Sequence, residues 1–215
     1  LTPEGIIKGD QLEADWFPQI ECDVFLSHSH GDENQALQLA GMLKKHFGLT
    51  TFVDSTVWGY ADRLLRNIDN AYCLTDTGFF DYNKRNGTTS HVHLILAAAI
   101  SKMIDKSECL FFLNTPNSVH ISEATQKTKS VWIYYEIAMS KVIRKRTPQR
   151  KLEKSFSKGG ELLLENVNAS FEYELDKEHL YSLKESDIEA WKEYFDRYKT
   201  IHGLDAMYRY ISDIS

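Results

Sequence analysis

The chain has few of the residues that mark several common protein classes. Its three cysteines are Cys22, Cys73 and Cys109. They are odd in number, lie far apart and form no CxxC pair, which argues against a disulfide framework or a zinc site and indicates a reducing, cytoplasmic setting. With only 4 prolines, 11 glycines and 42% hydrophobic residues among 215, the composition is that of an ordinary folded domain. We therefore expect a folded, soluble protein.

Long hydrophobic runs and an excess of basic charge are also missing. The longest apolar stretch, residues 93–104, is too short and too interrupted to span a bilayer, and residues 1–18 lack the apolar segment of a signal peptide. The formal net charge of -6 argues against a general nucleic-acid surface. The basic run Lys141 to Lys154 is interpreted as a solvated helix end, with a phosphate or partner site as the alternative. No nucleic-acid or membrane partner is therefore predicted.

Segments typical of strands and of helices alternate along the chain. The strand-like runs are residues 23–27, 49–54 and 108–114. The helix-like runs are residues 35–47, 61–72, 91–106 and 130–144. We predict loops at residues 55–60, 81–90 and 116–129. The alternation predicts an α/β fold with a mainly parallel sheet, whose loops converge at the carboxyl ends of the strands.

Beyond about residue 148 the pattern changes. We interpret residues 20–147 as the core and residues 148–215 as a C-terminal elaboration packed on the same domain. Within the elaboration, the predicted strands are residues 162–164, 171–175 and 179–183, and the predicted helices are residues 186–199 and 204–211.

The segment Ser130–Ile137 places a carboxylate inside an apolar, helix-like run. Trp132 and Glu136 are four residues apart and therefore share one face of a helix. A carboxylate beside a large ring can polarise a sugar while the ring stacks on a base. The structural alternatives are that Trp132 belongs to the core and that Glu136 faces solvent.

The motifs of several large enzyme classes are missing. The sequence has no P-loop, GxGxxG fingerprint, GxSxG elbow or HExxH helix. The pairs His28/His30 and His91/His93 have a spacing that suits metal ligands on a strand, but they fall in a loop and at a helix start without a matching set of carboxylates or cysteines. We predict no metal site, and His28 is better suited to lining a nucleotide pocket.

Three sequence blocks follow one another along the chain: Asp23-Val-Phe-Leu-Ser-His-Ser with Asp32, then Phe52-Val53-Asp54, then Trp132 with Glu136. In this order they resemble the Toll/interleukin-1 receptor (TIR) domain family. The run Asp23-Val-Phe-Leu-Ser-His-Ser, with Asp32, resembles the first strand and loop of that family. Phe52-Val53-Asp54, followed by a loop with Gly59, resembles the second strand and the BB loop. Trp132 with Glu136 resembles the Trp-x-x-x-Glu helix, and the resemblance covers roughly residues 20–145.

The resemblance implies a flavodoxin-like, three-layer fold with a five-stranded sheet, and cleavage of the nicotinamide-ribose bond of NAD by Glu136. As the positively charged nicotinamide leaves, the ribose gains oxocarbenium character, which a nearby carboxylate stabilises. NAD is the substrate and no cofactor is implied. The residues implied to line the cleft are Ser27, His28, Asp54, Trp58, Tyr60 and Trp132. From the residues alone, Asp54 also fits a turn or helix cap, and Ser27 fits a partner of backbone groups.

The resemblance leaves the outcome of the reaction open. If water captures the ribosyl centre the product is ADP-ribose, and if an internal nucleophile does so the product is a cyclised form. By analogy with prokaryotic family members of anti-phage systems such as Thoeris, the product would signal to an effector, and self-assembly through TIR surfaces would complete the site. The alternatives are a non-catalytic TIR-TIR assembly module and a nucleoside deoxyribosyltransferase-like enzyme whose glutamate attacks a ribosyl centre.

Overall fold

The computed structural model describes residues 6–53, 55–122, 125–143, 146, 172–198 and 201–214, with the backbone alone for residues 56–60, 121, 122, 125, 213 and 214. The α-helices in these ranges are α1 (Gly9–Trp16), α2 (Glu33–Phe47), α3 (Ser55–Tyr72), α4 (Tyr82–Lys106), α5 (Val131–Val142), α6 (Glu185–Arg197) and α7 (Gly203–Ile214). The strands are β1 (Val24–Ser27), β2 (Thr51–Val53), β3 (Cys109–Phe112), β4 (His120–Ser122), β5 (Thr125–Thr128) and β6 (Tyr173–Glu174). Among these helices, none has the length and apolarity needed to cross a membrane.

The main sheet has the strand order β2-β1-β3, and both strand pairs are parallel. All four residues of β1 are buried, as expected for a central parallel strand that is covered on both faces. The prediction of an α/β fold with a parallel sheet is therefore confirmed. Ser27 at the end of β1 is the registered partner of Phe112 at the end of β3, so the carboxyl ends of these two strands lie at one edge.

Helices cover both faces of the main sheet. Phe25 of β1 and Phe52 of β2 pack in one apolar cluster with residues of α3 and α4. Val24, the neighbour of Phe25, packs instead with Phe47 of α2, Trp191 of α6 and residues of α7. Because successive residues of a strand point to opposite faces, this alternation gives one helical layer on each side of the sheet.

The predicted five-stranded sheet is wrong, since the parallel sheet of the described residues has three strands. Residues 116–129, predicted as a loop, contain β4 and β5, which pair antiparallel with each other, while β5 also pairs with β6. Two antiparallel strands need few residues between them, whereas a further parallel strand needs a crossover of about a dozen residues or more. Strands β4, β5 and β6 form a separate sheet and do not extend the main one.

Two other predicted loops are helical. Residues 55–60 form the first turns of α3, and this segment contains no proline that would stop a helix. Helix α4 begins at Tyr82 and not near residue 91, because the Asp81 carboxylate caps it by accepting a hydrogen bond from the Lys84 N–H at 2.9 Å. The first turns of α4 are mostly exposed, so they carry no apolar period that a sequence could reveal.

The C-terminal helices agree with prediction. Those predicted at residues 186–199 and 204–211 are confirmed as α6 and α7. The strand predicted at residues 171–175 corresponds to β6, whereas residues 179–183 are not a strand. Residues 162–164 lie outside the described ranges, and the domain division near residue 148 stays a prediction.

Candidate functional site

The candidate site begins at the carboxyl end of the central strand β1. Ser27, the last residue of β1, has 0% of its surface exposed, and His28 has 3%. The backbone there is fixed by β3, since the Leu113 N–H donates to the Ser27 carbonyl oxygen at 2.9 Å. Polar side chains are seldom buried so completely. Two adjacent ones at a strand end make this the first place in the fold to look for chemistry.

Asp32 joins the loops that follow β1 and β3. Its carboxylate is 3% exposed and accepts hydrogen bonds from Asn117 Nδ2 at 2.7 Å and from the Thr115 hydroxyl. Ser118 is also buried and donates from its hydroxyl to the Leu113 carbonyl oxygen at 3.0 Å. These contacts hold the β3 loop against the β1 loop, so the rim of the site is built from both.

The side chains on the β3 side of this network are not among the predicted site residues. The sequence places Asp32 in the loop after β1, and in the structure its side chain makes no cap hydrogen bond at the start of α2. Thr115, Asn117 and Ser118 follow a buried strand directly, and this position is the signal that could have singled them out. Polar residues after neighbouring parallel strands meet at the same edge.

Glu136 is completely buried, with 0% of its surface exposed. Helix α5 starts where the Ser130 hydroxyl accepts a hydrogen bond from the Ile133 N–H at 3.2 Å, as a capping serine does. Ile133 and Ile137, on either side of Glu136 along the helix, are buried as well. The alternative that Glu136 faces solvent is therefore wrong. Removing a carboxylate from water costs free energy. The burial of Glu136 therefore indicates a functional role.

Apolar packing sets α5 beside the same edge of the main sheet. Ile133 and Ile137 belong to one cluster with Leu110 and Phe112 of β3. Phe112 is in turn the registered partner of Ser27. The helix that carries Glu136 thus lies next to the strand end where Ser27 is buried.

Trp132 lies one turn before Glu136, is half-buried and packs against the apolar cluster of α3 and α4. Its ring meets the His93 ring edge-on at a centroid distance of 5.8 Å and the Tyr135 ring at 6.3 Å. Tyr135 also donates a hydrogen bond from its hydroxyl to the Ala97 carbonyl oxygen of α4 at 3.1 Å. These contacts agree with the core alternative for Trp132, whose ring helps to hold α5 against α4.

Three predicted site residues are not located relative to Glu136. Asp54 lies outside the described residues, and Trp58 and Tyr60 lie in the first turns of α3 without described side chains. Their assignment to the cleft stays a prediction. His30 and His91 are exposed, and the described part of the chain brings neither of the two histidine pairs into a group of metal donors.

The arrangement provides one buried carboxylate on α5, and a buried serine and histidine at the carboxyl end of β1. A carboxylate held in a dry environment can stabilise a positive charge that develops on a substrate much better than one in water. Comparison of the chain with protein-family models, with curated proteins and with solved structures gave no match.

Proposed function

We propose that the protein is a TIR-type enzyme that cleaves the nicotinamide-ribose bond of NAD through Glu136. The observation that carries the proposal is the complete burial of this glutamate on α5, next to the carboxyl edge of a parallel sheet. The strand order β2-β1-β3 also fits the first three strands of a flavodoxin-like sheet, in which strand 2 lies at one edge. The resemblance of three sequence blocks supplies the substrate class.

Glu136 has a defined role in this reaction. When the cationic nicotinamide leaves, positive charge develops on the ribosyl C1 and ring oxygen, and a carboxylate near the ribose hydroxyls lowers the energy of that transition state. Ser27 and His28 supply the polar edge against which the nucleotide would lie. Trp132 acts by positioning α5, because its ring is engaged with His93 and Tyr135.

Water or an internal nucleophile of the nucleotide then captures the ribosyl centre. Glu136 has the same role in both outcomes, because it acts before the ribosyl centre is captured. The identity of the product therefore distinguishes hydrolysis from cyclisation. We further propose that this product is an anti-phage signal, which a partner effector detects.

Access to Glu136 requires a rearrangement, since the side chain has no exposed surface. Self-assembly of the protein is the proposed trigger. Activity per chain should therefore rise with protein concentration, which gives the proposal a second observable beside the mutation.

The test is incubation of the purified protein with NAD at low and high protein concentration, with nicotinamide and nucleotide products separated by chromatography and identified by mass. The matched variants are Glu136→Gln, a neutral isostere, and Glu189→Gln, an exposed residue of α6. We expect Glu136→Gln to lose about 100-fold or more of the nicotinamide release and Glu189→Gln to keep it. Circular dichroism and the melting temperature check that both variants are folded.

Two results would reject the proposal. Full turnover by Glu136→Gln would remove the glutamate from the mechanism. No nicotinamide release by the wild type at any concentration would favour the assembly module. A parallel incubation with a deoxynucleoside and a free base covers the remaining alternative, because base exchange without NAD cleavage is the activity of a deoxyribosyltransferase.

A further inference from the structure

A second group of polar side chains lies at the opposite end of the main sheet. Glu108 immediately precedes β3, and His202 and Asp205 lie at the start of α7. One donor atom from each of these residues lies within 4.8 Å of the other two. Asp205 is buried, and Glu108 and His202 are half-buried. We name these three residues the amino-end cluster.

The backbone that carries the amino-end cluster is held tightly. The N–H groups of Glu108 and Cys109 both lie 3.1 Å from the Asp23 carbonyl oxygen, which fixes the entry into β3. At the start of α7, a Cβ atom on Gly203 would lie 2.8 Å from the Phe47 carbonyl oxygen. Only glycine fits there, so α7 begins in direct contact with the end of α2. Metal-ligating side chains on such constrained elements are pre-organised for binding.

Asp23 orients the imidazole of His202. The His202 Nε2 atom lies 3.4 Å from Asp23 Oδ1, while Asp23 Oδ2 accepts hydrogen bonds from the Thr50 N–H and hydroxyl, each at 2.7 Å. A histidine that donates one ring N–H to a carboxylate keeps the lone pair of its other nitrogen, and metal-ligating histidines are commonly held in this way. That other nitrogen, Nδ1, accepts a long 3.3 Å hydrogen bond from the Leu204 N–H, and a metal ion bound at Nδ1 would displace this contact.

The donor chemistry selects the class of ion. Two carboxylates and one imidazole suit Zn²⁺ and similar transition-metal ions, whereas Mg²⁺ and Ca²⁺ prefer oxygen donors alone. Ligands at about 2.0–2.2 Å from one Zn²⁺ are separated from each other by about 3–4 Å. The donor atoms of the amino-end cluster, which lie within 4.8 Å of one another, are close to this spacing.

We propose that Glu108, His202 and Asp205 bind one divalent transition-metal ion, with Zn²⁺ as the best match, and that the ion fastens the start of α7 to the start of β3. The amino-end cluster lies at the amino ends of the strands, and Ser27 lies at a carboxyl end. The metal site is therefore independent of the proposed NAD chemistry. No local sequence pattern reveals this site, because Glu108 and His202 are 94 positions apart.

The test is isothermal titration calorimetry, in which Zn²⁺ is added to the EDTA-treated, dialysed full chain and the heat of binding is measured with and without millimolar Mg²⁺. The variants are His202→Gln and Glu108→Gln, and the control is His91→Gln, an exposed histidine of α4. We expect about one Zn²⁺ per chain for the wild type and the control, without competition from Mg²⁺. Binding should weaken about tenfold or more in each cluster variant, and the rise in melting temperature with Zn²⁺ should shrink in parallel.

Two results would contradict the proposed metal site. An absence of Zn²⁺ binding by the wild type would overturn it. Equal affinity in His202→Gln, Glu108→Gln and His91→Gln would overturn it as well, since the zinc would then be bound elsewhere, for example by a cysteine. Circular dichroism without metal establishes that the variants are folded. Glu108→Gln keeps the hydrogen bond between His202 and the Leu204 N–H at the start of α7. This variant therefore tests the metal site without changing the N-terminus of that helix.

Discussion

The rings of Phe47 and Trp191 are stacked, with centroids 3.7 Å apart and planes inclined by 11°. Phe47 is the last residue of α2, and Trp191 lies in the middle of α6. The Trp191 indole also donates a hydrogen bond from Nε1 to the Gly203 carbonyl oxygen at 2.9 Å. One fully buried side chain therefore connects α2, α6 and α7 over the face of the sheet that carries Val24.

Replacing Trp191 should separate these three helices. Trp191→Ala removes a buried aromatic ring and its hydrogen bond, so we expect a loss of about 3–5 kcal/mol in the free energy of unfolding. Trp191→Phe should lose less, since the stack with Phe47 can persist. Urea denaturation followed by circular dichroism measures both, with the exposed Tyr181 changed to Ala as a control that should stay within about 0.5 kcal/mol of the wild type. Equal loss in Trp191→Ala and Tyr181→Ala would contradict the packing.

Asp32 should be needed for order in the β3 loop. In Asp32→Ala the Thr115 hydroxyl and Asn117 Nδ2 lose their acceptor, which we expect to cost about 1–3 kcal/mol. Amide hydrogen exchange should become faster for residues 115–118 but stay unchanged in α6. Asp76→Asn, at an exposed turn, is the control. If exchange in residues 115–118 is unaltered by Asp32→Ala, the two loops are held together by other contacts.

The sequence predicts the three parallel strands because each is a short run of apolar, β-branched or aromatic residues, and such runs can be identified without knowledge of the rest of the chain. Gly48 ends α2 with φ +73° and its N–H bonded to the Leu43 and Lys44 carbonyl oxygens, as glycine commonly does directly after a helix. The hairpin of β4 and β5 was missed because Thr125–Thr128 has no alternation of apolar and polar residues. Its pairing depends on partners in β6, which lie about 45 residues away.

The candidate site was only partly predictable because it too depends on contacts between residues that lie far apart in the sequence. Glu136 could be selected as a lone carboxylate in an apolar helix, but whether it is buried depends on how α5 is rotated against β3. The contacts of Asp32 with Asn117 span 85 positions, and no local pattern encodes them. Local propensity therefore identified which residues to consider, and only tertiary packing decided which of them meet.

Trp132 should matter for packing more than for substrate affinity. Because its ring is half-buried, Trp132→Ala should lower the free energy of unfolding by about 1–3 kcal/mol, and Trp132→Phe by clearly less. A double-mutant cycle with His93→Ala should show a coupling of about 0.5–1.5 kcal/mol, as edge-on ring pairs do. If Trp132→Phe instead keeps full stability but raises the KM for NAD many-fold, the ring stacks on the nucleotide and the packing role is secondary.

Asp187 should make the junction of α6 and α7 sensitive to acid. The hydrogen bond from the Lys184 N–H, and then that from the Tyr210 hydroxyl, lower the pKa of this carboxyl below its ordinary value of 3.8. Because the pKa is lower in the folded than in the unfolded chain, Asp187 stabilises the fold above pH 3.8, and this contribution is lost as the pH falls through the folded-state pKa. Asp187→Asn should therefore be less stable than the wild type at neutral pH, and the difference should shrink on acidification. Urea denaturation across this pH range measures it, with Glu189→Gln as the control. A difference that does not change with pH would show that the carboxylate charge of Asp187 is not what stabilises the junction.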